Sequence, residues 1–375
     1  MIDFNRPYFT GNETKYIEEA VASGKISGNG MFTQKCQNYF ENQYSFKKTL
    51  LTTSCTDALE MCAILLNLKE GDEVIIPSYT FVSTANAFVL RGAKIVFADS
   101  RLDNPNIDEI KIESLITEKT KAIVVVHYAG VACEMDTIIS IAKKHNLFVV
   151  EDAAQAIDSF YKNKPLGSLG HLATFSFHET KNIQCGEGGL LAINDEQFVA
   201  RAEVIWEKGT NRSAFFRGEI DKYGWVDIGS SFLPSELNAA FLWAQLENLK
   251  KIQNKRIEIW NNYYQNLKAL SFNGYFSLPI IPGYATNNGH MFYLVCNSAK
   301  ERTELISYLK NENVYAVFHY LSLHESSYYR VKHDGRFLKE SNTYTKRLVR
   351  LPLFYELTII EQKRIINKVK SFFNK

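Results

Sequence analysis

The sequence predicts an α/β protein that contains a mostly parallel β-sheet, followed by a smaller α+β unit. Two observations lead to this prediction. Between residues 45 and 195, short runs of β-branched residues alternate with stretches of helical periodicity. Strands buried on both faces of a parallel sheet have this pattern. Beyond residue 271, strand-like and helix-like pieces are mixed without that alternation.

The first part of the chain contains four runs predicted as sheet strands, at 73–77, 94–98, 122–126 and 147–151. Apolar residues at helical spacing predict helices at 56–67, 82–91 and 134–145. Ligands of such sheets bind beyond the carboxyl ends of the strands. Residues that directly follow these runs are therefore candidates for a binding site.

A long helix predicted at about 235–267 joins the two parts, and Ser235 is its candidate N-cap. We predict a large domain over 1–245, which includes the N-terminal segment, and a small domain over 246–375. The small domain is predicted to contain strand-like pieces at 291–295 and 315–319 and helices near 301–311 and 360–373.

The composition is that of a globular protein of about two domains, with 375 residues, 46% hydrophobic and 22% charged. A net charge of +2 with intermixed signs argues against nucleic acid or an anionic membrane as a partner. No apolar run approaches the roughly 20 residues of a membrane span, and the first residues do not resemble a secretory signal. We therefore expect a cytoplasmic protein. The six cysteines lack metal-ligand spacing, so we expect reduced thiols and no metal site.

A carboxylate and a lysine stand out after two strand-like runs. Asp152 ends the run at 147–152, and Lys181 lies between the apolar run at 173–177 and the glycine-rich turn at 186–189. Pyridoxal 5'-phosphate (PLP) needs an amine that holds its aldehyde and a carboxylate that keeps its ring nitrogen protonated. The spacing therefore predicts a PLP site with Lys181 and Asp152 as the catalytic pair. The alternative for Lys181 is a solvated surface lysine. The alternative for Asp152 is a carboxylate that caps a helix at 153–156.

Further residues are candidates for cofactor binding. Ser54, Cys55 and Thr56 lie at a strand-to-helix junction, where a helix N-terminus favours a phosphate. Ser176 is a candidate for an additional hydrogen bond to the phosphate. Gln155 is a candidate partner of the phenolic oxygen of the cofactor. Phe81 is a candidate stacking ring, although core packing explains such an aromatic residue as well.

Candidate substrate contacts are less distinctive. His178 and His319 lie among aromatic residues without metal spacing, which favours packed or hydrogen-bonded histidines. Both remain candidates for contact with the substrate, as does Tyr320 beside His319. Arg212 lies in a loop of basic and aromatic residues that could bind a pyrophosphate and stack on a nucleobase. The alternative is that this loop is a solvated surface.

Taken together, these motifs resemble the DegT/DnrJ/EryC1/StrS family of sugar aminotransferases. The resemblance covers nearly the whole chain and is most specific at 151–155, 176–181 and 186–189. It implies the fold type I of PLP-dependent transferases, the aspartate aminotransferase type, and a homodimer with a shared active site. It also implies the roles of individual residues. Lys181 binds the cofactor aldehyde, Asp152 pairs with the ring nitrogen, Phe81 stacks on the ring, and Ser54, Cys55 and Ser176 hold the phosphate.

Within the family, the stretches 77–91, 127–136, 208–212 and 316–320 are similar to enzymes that aminate C4 of dTDP-4-dehydro-6-deoxy-D-glucose, in particular the dTDP-4-amino-4,6-dideoxygalactose transaminases. This similarity implies L-glutamate as the amino donor, with 2-oxoglutarate and a dTDP-4-amino-4,6-dideoxyhexose as products. The amino sugar is expected to enter a cell-surface polysaccharide, O antigen or enterobacterial common antigen.

The sequence departs from the family pattern at two places. At 229–233, many relatives carry an asparagine and an arginine that reach the partner's site. Here Ser231 stands in for the asparagine as a phosphate contact, and the arginine has no counterpart. The turn after Lys181 is one residue shorter than in the galacto enzyme, which leaves the galacto and gluco epimers open.

Three other functions are alternatives to this one. The first is an aminotransferase acting on C3 of a dTDP-3-dehydro-6-deoxyhexose. The second is a PLP-dependent nucleotide-sugar dehydratase, which carries a histidine where Lys181 stands. The third is a regulatory PLP-binding protein, which needs an added DNA-binding or membrane segment. The lysine argues against the dehydratase, whereas motif similarity alone separates the C3 and C4 enzymes.

Overall fold

The computed structural model describes residues 1–374, and its largest element is a seven-stranded sheet. Nine strands precede residue 194: β1 Lys48–Thr52, β2 Glu73–Pro77, β3 Lys94–Ala98, β4 Thr120–Val126, β5 Phe148–Asp152, β6 Phe160–Tyr161, β7 Lys164–Pro165, β8 Leu172–Ser176 and β9 Gly189–Ile193. The sheet order is β1-β9-β8-β5-β4-β2-β3, and β6 and β7 form a separate hairpin. β9 is antiparallel to both of its neighbours, β1 and β8, and all other pairs of the sheet are parallel. The predicted α/β class with a mostly parallel sheet is confirmed.

Helices cover both faces of this sheet. The helices are α1 Glu13–Ala22, α2 Met31–Tyr44, α3 Cys55–Leu65, α4 Val82–Val89, α5 Glu109–Ile112, α6 Met135–Lys144, α7 Val199–Trp206, α8 Arg212–Phe216, α9 Glu236–Glu247, α10 Leu249–Phe272, α11 Ala299–Asn311, α12 Lys339–Arg347 and α13 Ile359–Phe373. Alternate residues of a central strand enter opposite layers. Ile123 and Val125 join one apolar core, and Ala122 and Val124 join the other. A strand buried on both faces is therefore apolar throughout. None of the helices in residues 1–374 has the length and apolar character needed to cross a bilayer.

The C-terminal part contains a three-stranded antiparallel sheet of β10 Phe276–Ser277, β11 Phe292–Cys296 and β12 Leu348–Leu351. Its apolar core includes side chains from α10, α11 and α13. The strand predicted at 315–319 is wrong. Val317 bridges to Arg350 and is the only residue of the segment that forms a β-bridge, while Val314, just before the segment, bridges to Ile2.

The helix predicted at 235–267 is divided into α9 and α10 at Asn248. Ser235 caps α9 as predicted, because its hydroxyl accepts a hydrogen bond from the Asn238 backbone N–H. The Asn248 side chain donates to the Ala244 carbonyl at 3.0 Å. A side chain that hydrogen-bonds to the carbonyl four residues earlier competes with the backbone N–H that would bond to this carbonyl in a continuous helix. The division into domains at residue 245 stays a prediction.

Candidate active site

A cavity of about 420 Å³ lies between the carboxyl ends of the parallel strands and the C-terminal part of the chain. Most of the predicted site residues line it: Ser54, Cys55, Thr56, Phe81, Asp152, Gln155, Ser176, His178, Lys181, His319 and Tyr320. They are distributed over more than 260 positions of the sequence. The fold therefore brings together residues that the sequence analysis selected separately.

Asp152 is the last residue of β5, and only 5% of its surface is exposed. Its Oδ2 accepts a hydrogen bond from the Thr84 hydroxyl at 2.7 Å, and its Oδ1 accepts one from the Ala154 backbone N–H at 3.1 Å. Residues 153–156 form a turn rather than a helix, so the alternative of a helix cap is wrong. Burial raises the pKa of Asp152. No cation of residues 1–374 forms an ion pair with it, and a protonated ring nitrogen would supply that partner.

The residue before Asp152 holds this end of β5 in place. Glu151 is fully buried, and its carboxylate accepts hydrogen bonds from the backbone N–H groups of Gly167, Leu169 and Gly170. His127 Nε2 lies 2.9 Å from Glu151 Oε2. A buried carboxylate with four partners is well satisfied and restricts local motion. Asp152 therefore projects from a rigid part of the sheet.

Lys181 lies in the turn after β8, where its backbone N–H donates to the His178 carbonyl at 2.9 Å. Its side chain lines the cavity. Burial lowers the pKa of Lys181, and the nearby positive charge of Arg350 acts in the same direction, while Cys55 and Asp152 oppose it. A lowered pKa increases the fraction of neutral amine, which is the form that reacts with an aldehyde.

The loop before α3 has the features of a phosphate site. Ser54 caps the helix by accepting a hydrogen bond from the Asp57 N–H at 3.1 Å. The N–H groups of Cys55 and Thr56 find no acceptor in the part of the chain that the structure describes. Gly189 of β9 passes so close that a Cβ there would lie 2.4 Å from the Cys55 nitrogen. Free N–H groups at a helix N-terminus fit the cofactor phosphate.

Phe81 and Gln155 line other sides of the cavity. Phe81 is 55% exposed, so core packing does not explain it, and an open ring face fits stacking on a planar cofactor. Gln155 is held by two partners. Its Oε1 accepts from the Ala129 N–H at 2.6 Å, and its Nε2 donates to the Tyr320 hydroxyl at 2.8 Å.

Two predicted residues do not line the cavity. The Arg212 guanidinium lies over the Phe216 ring at 5.0 Å and 4.0 Å from the Glu207 carboxylate. Ser231 forms a bridge with Glu207 on the same side of the molecule. Arg212 therefore has no contact with the cavity of its own chain. The prediction for Ser231 concerns the cavity of a partner subunit and stays a prediction.

Four further residues that were not among the predicted site residues line the cavity: Phe4 near the N-terminus, Thr84 of α4, and His290 and Arg350 of the C-terminal part. His290 Nδ1 lies 2.7 Å from Asn182 Oδ1, next to Lys181 in the sequence. His319 Nδ1 lies 2.7 Å from the Tyr128 hydroxyl, and its ring stacks on Tyr320 at 3.5 Å. Burial lowers the pKa of both histidines well below the usual range, so they are neutral. No local motif marks any of these residues in the sequence.

Comparison with known proteins agrees with this geometry. The family model described as the DegT/DnrJ/EryC1/StrS aminotransferase family matches residues 7–370. An uncharacterized protein of Methanocaldococcus jannaschii is 32% identical, covering 98% of this chain and 96% of its own length. The spore coat polysaccharide biosynthesis protein SpsC of Bacillus subtilis is 31% identical, covering 99% of this chain and 96% of its own length.

A solved structure gives the same result. Helicobacter pylori PseC, an aminotransferase involved in the biosynthesis of pseudoaminic acid, superposes with a TM-score of 0.91 at 25% identity, covering 100% of this chain and 99% of PseC. The predicted fold type I of PLP-dependent transferases and the predicted cofactor are thereby confirmed. The chain belongs to the DegT/DnrJ/EryC1/StrS aminotransferase family and is a PLP-dependent sugar aminotransferase.

Proposed function

We propose that this chain transfers the amino group of L-glutamate to C4 of dTDP-4-dehydro-6-deoxy-D-glucose. The products are 2-oxoglutarate and a dTDP-4-amino-4,6-dideoxyhexose. The sugar gains the amino group, and the former glutamate carries the keto group. The observation that supports amino transfer is a cavity lined by both Lys181 and a buried Asp152 that lacks an ion-pair partner within residues 1–374. The choice of sugar is supported by the similarity of 77–91, 127–136, 208–212 and 316–320 to the C4-aminating subgroup.

The sheet side of the cavity supplies the groups that hold the cofactor. Asp152 keeps the proton on the ring nitrogen, and the Thr84 hydroxyl fixes the orientation of its carboxylate. The N–H groups of Cys55 and Thr56, together with Ser176, are assigned to the phosphate. When bound, PLP supplies an aldehyde that carries the amino group and a ring that withdraws electrons.

Lys181 is assigned the proton transfers. Its lowered pKa makes the neutral amine available to take a proton from the α-carbon of the donor. In the second half of the cycle the same amine returns a proton to C4 of the sugar. Because Lys181 lies on one side of the cavity, the proton arrives on one face of C4. That face determines whether the galacto or the gluco epimer forms.

We further propose that the enzyme works as a homodimer with a shared site. The loop at 212–231 exposes large apolar side chains, of which Trp225 is 84% exposed and Phe216 68%. Exposed apolar groups of this size are typical of surfaces that another protein covers. Ser231 belongs to this loop, so a second copy would bring it toward the cavity of the first.

The product is proposed to serve a cell-surface polysaccharide, O antigen or enterobacterial common antigen. Of the three similar proteins named above, SpsC is described as a spore coat polysaccharide biosynthesis protein and PseC as an aminotransferase involved in the biosynthesis of pseudoaminic acid. The first description concerns a polysaccharide of the cell surface. They support a role of this chain in supplying an amino sugar for such a polymer.

The test is to incubate the purified protein with PLP, L-glutamate and dTDP-4-dehydro-6-deoxy-D-glucose and to read the ring couplings by proton NMR. Nitrogen on C4 supports the proposal, a small H3–H4 coupling identifies the galacto product, and a large one identifies the gluco product. Lys181→Ala protein is the control, and its sugar should remain a ketone. If the sugar stays unaminated while the 3-keto isomer is converted, the C4 assignment is wrong.

A further inference from the structure

One ring nitrogen of a buried histidine in the cavity wall has no partner in the protein. His290 lies just before β11, lines the cavity and has only 6% of its surface exposed. Its Nδ1 lies 2.7 Å from the side-chain oxygen of Asn182. Its Nε2 makes no hydrogen bond within residues 1–374 and is open to the cavity. The question is whether Nε2 offers a proton or a lone pair.

The hydrogen bonds of Asn182 determine which nitrogen of His290 carries the proton. One polar atom of the Asn182 amide lies 2.9 Å from the backbone carbonyl oxygen of Asn288. A carbonyl oxygen can only accept, so this atom is the NH2 group of the amide. The side-chain oxygen of Asn182 therefore faces His290, and it too can only accept. His290 must donate to it, which places the proton on Nδ1.

Two further observations agree with this tautomer. The NH2 group of Asn182 also donates to the Gln253 side-chain oxygen at 2.8 Å, and the Gln253 amide donates to the Ile157 carbonyl at 3.2 Å. A backbone carbonyl thus orients each of the two amides. In addition, burial and nearby positive charges lower the pKa of His290 well below its usual range, so the ring carries a single proton. Nε2 therefore holds a lone pair and can only accept a hydrogen bond.

An unbonded acceptor in a buried site favours a ligand that brings a donor, because unsatisfied buried polar groups cost free energy. The ring nitrogen and the phenolic oxygen of the cofactor have candidate partners in Asp152 and Gln155, and its phosphate accepts only. The carboxylates of L-glutamate also accept only, and its amino group is the group transferred. The keto sugar carries hydroxyls at C2 and C3, which are free to donate throughout the reaction.

The position of His290 favours the hydroxyl beside the reacting carbon. Asn182 directly follows Lys181, so the hydrogen bond from His290 to Asn182 holds the ring near the turn that carries Lys181. The charge of Lys181 is also a cause of the low pKa of His290, which requires the two groups to be near each other. Lys181 is assigned the proton that reaches C4, and the C3 hydroxyl is bonded to the neighbouring carbon.

We propose that His290 binds the C3 hydroxyl of the keto sugar, which donates a hydrogen bond to Nε2. This proposal rests on the proposed function, because it takes a hexose with its ketone at C4 as the substrate. His290 would act in the recognition of the sugar, in the second half of the cycle. A sugar held by its C3 hydroxyl would also present a fixed face of C4 to Lys181.

The experiment compares the keto sugar with two analogues in which hydrogen replaces the hydroxyl at C3 or at C2. Full-length wild-type and His290→Phe proteins, loaded with pyridoxamine 5'-phosphate, are mixed with each sugar. The wild type should react about 100-fold more slowly with the 3-deoxy sugar, because a polar site rejects an analogue that leaves its groups unpaired. In His290→Phe this preference should shrink to less than about fivefold. The preference for the C2 hydroxyl should be equal in both proteins.

His324→Phe is the matched control. His324 is also buried, with Nδ1 2.6 Å from the Ser78 hydroxyl and no hydrogen bond at Nε2 within the described chain, but it does not line the cavity. Its preference for the C3 hydroxyl should match that of the wild type. His290→Gln is the conservative variant, because its amide nitrogen can donate to Asn182 while its oxygen replaces Nε2 as the acceptor. It should recover part of the preference.

The outcomes separate this inference from the proposed function. If the wild type does not aminate the keto sugar, the proposed function is wrong. If the wild type aminates it and His290→Phe keeps the full preference for the C3 hydroxyl, His290 does not bind that hydroxyl. An equal slowing of all three sugars in His290→Phe would mean that the residue is only structural. His290→Met, which fills similar space with a weak acceptor, carries the same test if His290→Phe does not fold.

The tautomer has a readout that needs neither turnover nor a variant. Nitrogen NMR of wild-type protein labelled at histidine distinguishes a protonated from an unprotonated ring nitrogen. We expect Nε2 of His290 to be unprotonated, and its resonance to shift when the amino sugar product binds but not when the 3-deoxy product binds. A proton on Nε2 would overturn the proposal, because the atom could then only donate.

Discussion

The cavity has two walls that differ in origin. The sheet wall consists of Ser54, Asp152, Ser176 and Lys181, which follow or end strands of the large sheet. The C-terminal wall consists of His290, His319, Tyr320 and Arg350, which lie on or near the three-stranded sheet. The first wall reflects a general rule of parallel sheets, in which strand ends meet at one edge. The second follows no such rule and depends on how two parts of the chain pack together.

The walls also differ in charge. The sheet wall contains the buried carboxylate of Asp152. Burial raises the pKa of this group. The C-terminal wall contains neutral histidines and the guanidinium of Arg350, whose Nε makes no hydrogen bond within residues 1–374. A carboxylate suits the cationic ring nitrogen of the cofactor, and a guanidinium suits an anionic substrate group. We therefore expect the sheet wall to govern chemistry and the C-terminal wall to govern recognition.

The largest expected effect is that of Lys181→Ala, which should abolish turnover while the protein still binds PLP without a covalent bond. The reason is that, among residues 1–374, no other lysine lines the cavity to take over the proton transfers. Activity and the absorbance spectrum of the bound cofactor are the measurements. An active Lys181→Ala protein would contradict the role assigned to Lys181. It would also contradict the role of the sheet wall in the chemistry.

Asp152→Asn should come next, with a loss of at least roughly 100-fold in turnover, because the ring nitrogen would no longer be held protonated. The amide keeps the shape of the carboxylate, so the fold should be preserved. Circular dichroism and thermal unfolding check the fold. Full activity with an intact fold would mean that Asp152 has only a structural role, as the acceptor of the hydrogen bond from the Ala154 backbone N–H.

The same contrast explains how much could be predicted from the sequence. The predicted strands at 73–77 and 94–98 have the observed bounds, because a strand buried on both faces is recognisable from its own apolar residues. Phe81, Asp152 and Lys181 follow such strands or their turns and could be found locally. His290 and Arg350 could not, because their positions in the cavity depend on packing between distant segments. The strand predicted at 315–319 is wrong for a related reason, since Val317 and its aromatic neighbours favour strand pairing but do not determine how many residues pair.

A smaller effect concerns pH. Apoprotein should capture PLP faster as the pH rises, because the neutral amine of Lys181 attacks the aldehyde. The midpoint should lie below the ordinary lysine value of 10.5, since burial lowers the pKa of Lys181. Arg350→Gln removes a positive neighbour, so its midpoint should lie higher than that of the wild type. The capture rate is followed through the absorbance of the bound cofactor over a pH series.

Two results of the pH series would contradict this view of the walls. A wild-type midpoint at the ordinary lysine value would mean that the cavity does not desolvate the amine. An unchanged midpoint in Arg350→Gln would mean that the C-terminal wall does not act electrostatically on the sheet wall. Lys251→Gln is the control, because Lys251 lies on the outer surface of α10 and should leave the midpoint unchanged.

The smallest effect is expected for Tyr320→Phe, which removes the hydroxyl that accepts a hydrogen bond from Gln155 at 2.8 Å. Losing one such bond costs about 1 kcal/mol, so turnover should fall only a few-fold. Tyr263→Phe is the matched control, since its hydroxyl donates to the Pro352 carbonyl at 2.9 Å in the C-terminal core. It should lose similar stability in thermal unfolding and keep its turnover. If Tyr320→Phe instead loses as much turnover as Asp152→Asn, the C-terminal wall takes part in the chemistry, and the division of labour between the two walls does not hold.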